Sequence, residues 1–428
     1  MIRITSIAAL SGLLFVPMVV PNCSESPEAV QRPEKIVSLR QVVYDQETYR
    51  RLADLWKKYN DEYPSEDAYA NWMYAARYAG ESNYESLLKK GVSEYPANPT
   101  LLYLESMLHH GSNSAEGLAL LERATRLDPS YTDPWFALVD YYMEQGEKEK
   151  TNVALRKLLE SGVVQDEVMD FSYNMFACLE PNALLVTNGD NDTYPGWILT
   201  RVVGYRPDVR VVNRSLLNTD WYPFVLMKEG VPNFVTQDEM NSLGQSVEEQ
   251  LNAVRAGRAP APPSALQSDS LLARILKTAT RVGRPVYVAA TVERTGLVEQ
   301  LVNSGRELGL VTLVTPPAEP DRVQLRRTLD AWLKEFRTNG MDDWGVRYAS
   351  PTQAGRMLMI NYATCLHAMM DRILTEAPDF RPALFRWYQE HAMPLIPGKH
   401  LDELNRMWCR SQDIREIRDW CRKLNYTN

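Results

Sequence analysis

Asn182-Ala183-Leu184-Leu185-Val186-Thr187-Asn188-Gly189-Asp190-Asn191-Asp192-Thr193-Tyr194-Pro195 is the stretch on which the reading of this chain turns. Its first third is a short apolar run bounded by polar residues, the pattern of a buried strand. A dense polar loop follows, then an amphipathic segment over 195–204 and a second apolar run, Asp208-Val209-Arg210-Val211-Val212-Asn213. Strand, helix and strand in that order predict a βαβ unit. Two more apolar runs lie further on: 285–290 after a helical pattern over 270–281, and 310–314 after one over 297–308. Together they predict an open, mostly parallel sheet over residues 180–318 with helices on its faces. Residues 255–264, rich in Ala and Pro, read as a mobile surface loop.

N-terminal to this region, residues 40–170 carry a repeat. Tyr63-Pro64-Ser65, Tyr95-Pro96-Ala97 and Asp128-Pro129-Ser130 recur with proline spacings of 32 and 33, and Gly80, Gly111 and Gly146 fall roughly midway. That period resembles the ~34 residues of tetratricopeptide repeats, each unit being helix, Gly turn, helix and Pro turn. The expected helices are 68–79 and 84–94, 101–109 and 115–127, 134–144 and 148–160. Trp72, Ala75, Ala76 and Tyr78 in one of them, and Trp135, Phe136, Ala137 and Tyr141 in another, supply close-packing pairs. Stacked hairpins of this kind offer a concave face to a protein or peptide, or serve as a platform for the next domain. Beyond Pro320 the patterns over 323–337, 353–375, 381–391 and 400–424 predict a helical bundle filling 321–428. The fold expected for the whole chain is α/β with flanking all-α: tetratricopeptide-like helices, a central Rossmann-like sheet, and a C-terminal bundle.

Composition agrees with a folded protein of about two or three domains: 428 residues, 45% hydrophobic, 24% charged and 10% aromatic. A formal net charge of −8 without a long basic run excludes the electrostatic footprint of a nucleic-acid binder. Met1-Ile2-Arg3 carries one positive charge, residues 4–20 are uncharged and mostly apolar, and an acidic, polar stretch follows. Residues 1–22 therefore read as an export signal; Pro17 and the short run argue against a membrane span. Cys23 lies where a bacterial lipoprotein carries its lipidated cysteine, which would give peripheral membrane attachment. Val20-Pro21-Asn22 departs from the small-residue pattern of such sites, so ordinary cleavage is the competing reading. Either reading places the protein outside the cytoplasm, in the periplasm or at the outer membrane. Cys178, Cys365, Cys409 and Cys421 form an even set in a compartment that permits disulfides. Their pairing stays open, Cys409 and Cys421 being either joined across a short loop or buried thiols.

The polar loop Asn188, Gly189, Asp190, Asn191, Asp192, Thr193, with Trp197 beyond it, leaves the carboxyl end of the first expected strand, the edge where parallel sheets bind ligands. The second strand leads through Asn213 to Asn218, Asp220, Trp221 and Tyr222, and the third ends at Thr291 and Glu293, so three strand ends bring polar groups toward one rim. Asp190 and Asp192 have the spacing by which some glycosyltransferases hold a divalent cation such as Mg or Mn. The structural alternative is specific too: Asp192 or Thr193 as N-cap of the helix containing Pro195, with Asn188-Gly189 as a tight turn. Trp197, Trp221 and Tyr222 suit either sugar stacking or core packing. The chain has no GxGxxG, GxxxxGK[ST], GxSxG, HExxH or CxxC motif.

The quoted stretch, continued by 206–213 and by Ser215-Leu216-Leu217-Asn218-Thr219-Asp220-Trp221-Tyr222, resembles the soluble C-terminal region of a large bacterial membrane-protein family. That family, common in Bacteroidota, is of unknown function or protein O-mannosyltransferase-like, and is similar to GT-C glycosyltransferases. Residues 284–292 and 356–362 resemble later segments of the same region, so the likeness covers about residues 180–365. The resemblance implies a domain type; sugar transfer would belong to a multi-spanning part that this sequence lacks. The expectation is an exported envelope binding or scaffold protein, whose helices take a protein or peptide and whose sheet rim takes a glycan in cell-surface glycoprotein assembly. The rival is a cation-dependent glycosyltransferase-like or hydrolytic enzyme, with Asp190 and Asp192 on the metal and Asp220 or Glu293 as base. A sheet region serving only as a spacer is the third reading.

Overall fold

The structure is a computed structural model that describes residues 30–42, 44–109, 115–258, 266–342, 353–396, 398–410 and 413–426. The expected export signal, Cys23 and most of the Ala- and Pro-rich loop lie outside these residues. The N-terminal half is helical: α1 (Gln46–Glu62), α2 (Glu66–Ala79), α3 (Tyr84–Glu94), α4 (Pro99–Ser106), α5 (Ala115–Leu127), α6 (Asp133–Glu144), α7 (Lys148–Ser161) and α8 (Asp166–Ala177). Starts are set where side chains take up free N–H groups: Asp45 accepts from Thr48 N, Ser65 from Ala68 N, and Asn98 from Leu101 N. Neighbouring helices pack as hairpins, α4 on α5 and α6 on α7, while α1 lies against α2.

The expected α/β class is overturned. The protein is mostly helical, and its sheet has five strands of three or four residues: β1 (Leu184–Thr187), β2 (Arg210–Asn213), β3 (Val286–Ala289), β4 (Arg306–Leu308) and β5 (Val311–Leu313). The order is β2-β1-β3-β5-β4, with β1 parallel to β2 and β3 but β5 antiparallel to both β3 and β4. This small mixed sheet is not a Rossmann-like core. The misreading sits at Arg306-Glu307-Leu308, expected to end a helix. Helix α13 (Leu297–Ser304) stops before Gly305, and Gly309, at φ +71°, turns β4 straight back into β5. A side chain at 309 would also meet Cys178 Sγ at 2.6 Å.

The other elements around the sheet are α9 (Asp190–Trp197), which runs on through Ile198–Val203, then α10 (Tyr222–Lys228), α11 (Gln237–Arg255) and α12 (Leu266–Arg281). After α14 (Asp321–Lys334) and the short helical turn Asn339–Asp342 come Gln353–Glu376 and Arg381–Trp387, close to the helices expected there, and then Gly398–Trp408 and Arg415–Lys423, two helices where one was expected over 400–424. Buried apolar side chains from Ile36 to Cys421 form one continuous core. Its aromatic centre joins α8 to the C-terminal helices: Phe171, Trp332, Tyr362 and Trp387 meet edge-on or tilted at 5.3–6.1 Å. Beside them the fully buried Asn174 side chain donates to Tyr362 Oη at 2.8 Å and Arg337 O at 2.9 Å, and accepts from Arg337 N at 2.7 Å. A disulfide, Cys409–Cys421, ties the last two helices together; Cys178 and Cys365 are free thiols.

Candidate functional site at the end of strand β1

The acidic motif expected in a loop is the first turn of α9. Gly189 is its N-cap, and Asp192, the third helical residue, reaches back over the turn. Asp192 Oδ2 accepts from Asn188 N at 2.8 Å and Oδ1 from Gly189 N at 2.9 Å. From the end of β3, Thr291 Oγ1 donates to Oδ2 at 2.5 Å. The expectation that Asp192 or Thr193 would be the N-cap itself is thus corrected to Gly189, three or four residues earlier. Burial pushes the Asp192 carboxyl up, while the bonds from Thr291, Asn188 and Gly189 pull it down. An anion attracted to this helix N-terminus would find the position filled by the protein's own carboxylate.

Because β1 and β3 are parallel neighbours, their carboxyl ends open on one edge. A cleft of about 330 Å³ lies there, lined by Asn188, Asp190, Asn191, Asp192, Thr291 and, from the helix Gln353–Glu376, Asn361. Asp190 leans out of it toward the helical half. Its Oδ2 lies 3.2 Å from Arg40 Nε, and the Arg40 guanidinium also stacks 4.4 Å above Phe136 and sits 3.8 Å from Asp133. One turn further, Tyr194 packs edge-on against Phe136 at 4.8 Å, with its hydroxyl 3.1 Å from Asp140 Oδ2. Burial, then the charge of Asp190, pushes the Asp140 carboxyl up to about 7. The first turn of α9 is therefore a joint between sheet and hairpins. Asp190 and Asp192, the residues able to face a cation, are each held by groups of this chain.

The remaining predicted residues divide into two places. Thr193 and Asn213 are buried: Asn213 Nδ2 donates to Thr193 Oγ1 at 2.9 Å, and Thr193 Oγ1 lies 2.7 Å from Thr187 Oγ1. Trp197 and Tyr222 are core residues, 3% and 1% exposed, which removes them as sugar platforms. Tyr222 Oη instead covers the open edge of β2, accepting from Asn213 N at 3.0 Å and donating to Val211 O at 3.2 Å. Asn218, Asp220 and the half-buried Trp221 line a separate hollow of about 330 Å³ with Gln237, Asn241 and Gln267. Asn218 Oδ1 accepts from Ser268 N at 3.1 Å near the start of α12. The carboxyl ends of β1, β2 and β3 thus share one edge, but Asn218, Asp220 and Trp221 lie apart from the cleft at β1 and β3.

Arg214, at the polar end of the second strand and given no role by the sequence, ties β2 to the segment after β3. Its side chain, 7% exposed, donates to Asp269 Oδ1 at 2.9 Å and Glu293 O at 3.2 Å, while Asp269 Oδ2 accepts from Leu297 N at 2.9 Å. Gly296, at φ +58°, is needed there because a Cβ would stand 2.3 Å from that carboxylate. Arg40, Asp133 and Asp140 were missed for a different reason: each is one charged residue in an ordinary polar or helical context, and only the fold brings them to Asp190.

Residues 168–230 match the family model of TMEM260-associated domain 2. That family is of unknown function, and the match runs from α8 through β1, α9 and β2 to the end of α10. No curated protein matches the chain. Among the described residues no cluster of three or more His, Cys, Asp or Glu side chains is arranged to hold a metal, and no helix is long and apolar enough to cross a membrane.

Proposed function

We propose that this is an extracytoplasmic binding or scaffold protein of a bacterial envelope, in which the helical hairpins engage a protein or peptide and the sheet region mounts them on the C-terminal helices. The observation that carries the reading is the commitment of both loop carboxylates: Asp192 holds two backbone amides and Thr291, and Asp190 pairs with Arg40. Such a loop serves as a joint, without a free acid or base aimed into the cleft. The export pattern of residues 1–22, the position of Cys23 and the Cys409–Cys421 disulfide support the compartment. The resemblance to O-mannosyltransferase-like proteins supports a place in cell-surface glycoprotein assembly, with the amide-lined hollow at Trp221 as the glycan contact.

Two measurements test this. Titration calorimetry with Mg or Mn should give no heat of binding that depends on Asp190; heat in the wild type that vanishes in Asp190→Ala would favour the cation-dependent enzyme. A photoreactive residue at Thr100, on the face of α4 next to α2 and α6, should capture a defined envelope protein in cells. The same residue at the solvent-exposed Val153 of α7 should not. Equal capture at both positions, or none at Thr100, would remove the binding reading.

A further inference from the structure

Residues 30–42 cross the hairpins as a strap without regular secondary structure, held at nearly every step. Arg32 Nη2 donates to Asp67 Oδ2 at 2.6 Å, and Glu34 O accepts from Trp56 Nε1 at 3.1 Å. The backbone is then read by α2: Ile36 N donates to Asn71 Oδ1 and Leu39 N to Tyr74 Oη, both at 3.1 Å. Between these, Ser38 Oγ donates to Asp133 Oδ1 at 2.5 Å, and Arg40 ends beside Asp133 and Asp190. Two amides three residues apart, recognised by one amide and one phenol on a single helix face, are contacts any extended peptide could make.

Alongside the strap runs a hollow of about 490 Å³, reaching to Asn98, Thr100 and Tyr131. Its lining carries the carboxylates of Glu66, Asp67, Asp128 and Asp133 against the single amine of Lys35, which belongs to the strap. The strap's own cations, Arg32, Lys35 and Arg40, are matched to that acidic surface. We propose that this surface docks an extended basic segment of a partner protein, and that residues 30–42 are its built-in occupant, displaced when the partner binds. The inference rests on the reading that the hairpins engage a peptide, and adds the partner's charge and the means by which the surface is kept closed. A tethered occupant acts at millimolar effective concentration, and its occupancy lowers a competitor's apparent affinity by the same factor. Weakening the strap therefore exposes the surface.

The test uses a fluorescent synthetic peptide with the sequence of residues 30–42, titrated into the intact protein and into the Arg32→Gln, Ser38→Ala double variant. Both substitutions lie on the strap and leave the hairpin surface unaltered. The variant is expected to bind at least roughly ten-fold more tightly, the equivalent of one charge-assisted hydrogen bond. A peptide with glutamate at the three cationic positions should not bind, and saturation with the basic peptide should speed hydrogen exchange at the Ile36 and Leu39 amides. Equal affinity for the two proteins, equal binding of the charge-reversed peptide, unchanged exchange at Ile36 and Leu39, or no binding to either protein would each overturn the inference. If Thr100 still captures a partner in that event, only the strap inference falls; loss of both takes the binding reading with it.

Discussion

The hollow beneath the strap and the cleft at the end of β1 are both lined by carboxylates, yet they use them in opposite ways. In the cleft, Asp192 folds back on the amides of its own turn and on Thr291 of the adjacent strand, so its charge stabilises the loop that carries it. Under the strap, Asn71, Tyr74 and Asp133 hold a separate stretch of chain by its backbone and its hydroxyl. A carboxylate satisfied within its own turn is architecture. Polar groups aimed across a surface at another segment form a recognition surface, even when the segment present belongs to the same molecule. Arg40 and Asp190 are where the two regions meet.

The comparison predicts effects of graded size. Asp192→Ala should cost about 4 kcal/mol, because it leaves two amides and a hydroxyl without partners and removes the carboxylate that closes the first turn of α9; chemical denaturation would read it. A loss below about 1 kcal/mol would mean that the cleft is not built on this residue. Next comes pH. Burial, then Asp190, holds Asp140 at about 7 in the folded protein against 3.8 ordinarily, so the fold favours the protonated form. Its contribution, on the order of 4 kcal/mol, is fully present below about pH 4 and is lost as pH rises through 7. Asp140→Asn should flatten that part of the stability curve; an unchanged slope would show that Asp140 does not titrate in the joint.

Tyr74→Phe should cost about 2 kcal/mol by stripping Leu39 N of its partner and leaving Asp133 Oδ2 only the longer 3.4 Å bond from Tyr131 Oη. It should also raise exchange at the strap amides while leaving the sheet amides protected. Loosening of both regions together would erase the distinction between them. Asp190→Ala should be the mildest, under about 1 kcal/mol, since its side chain is 43% exposed and Arg40 keeps Asp133 nearby. Its sharper signature is a lower midpoint for the Asp140 transition, because the charge of Asp190 helps raise it.

Much of the local structure was legible. The spans 84–94 and 115–127 coincide with α3 and α5, and the apolar runs fell on β1, β2 and β3. Periodicity reports which side of a segment is buried, and these segments have one dominant answer. It failed at β4, where Glu307 and Leu308 suit a helix and the decision rests on Gly305 and Gly309. It also gave no sign of α1 or α8, or of the strap over 30–42. At the site, the turn chemistry around Asn188-Gly189 and the role of Asp192 were half visible, because capping is a contact between residues three apart. The convergence of Asn218 and Asp220 on the same rim was an expectation about strand ends, and the packing of residues 216–218 on α12 sent them elsewhere.

The sequence by itself determined most of the helices, the positions of the central strands and the polar character of the turn after β1, since each depends on propensity or on contacts a few residues apart. Tertiary structure alone decided that the sheet is small and mixed, that Cys409 joins Cys421, that Arg214 meets Asp269, and that Arg40 crosses to Asp190. Those pairings join residues that lie apart in the chain, and they follow only from how helices and strands share one buried core.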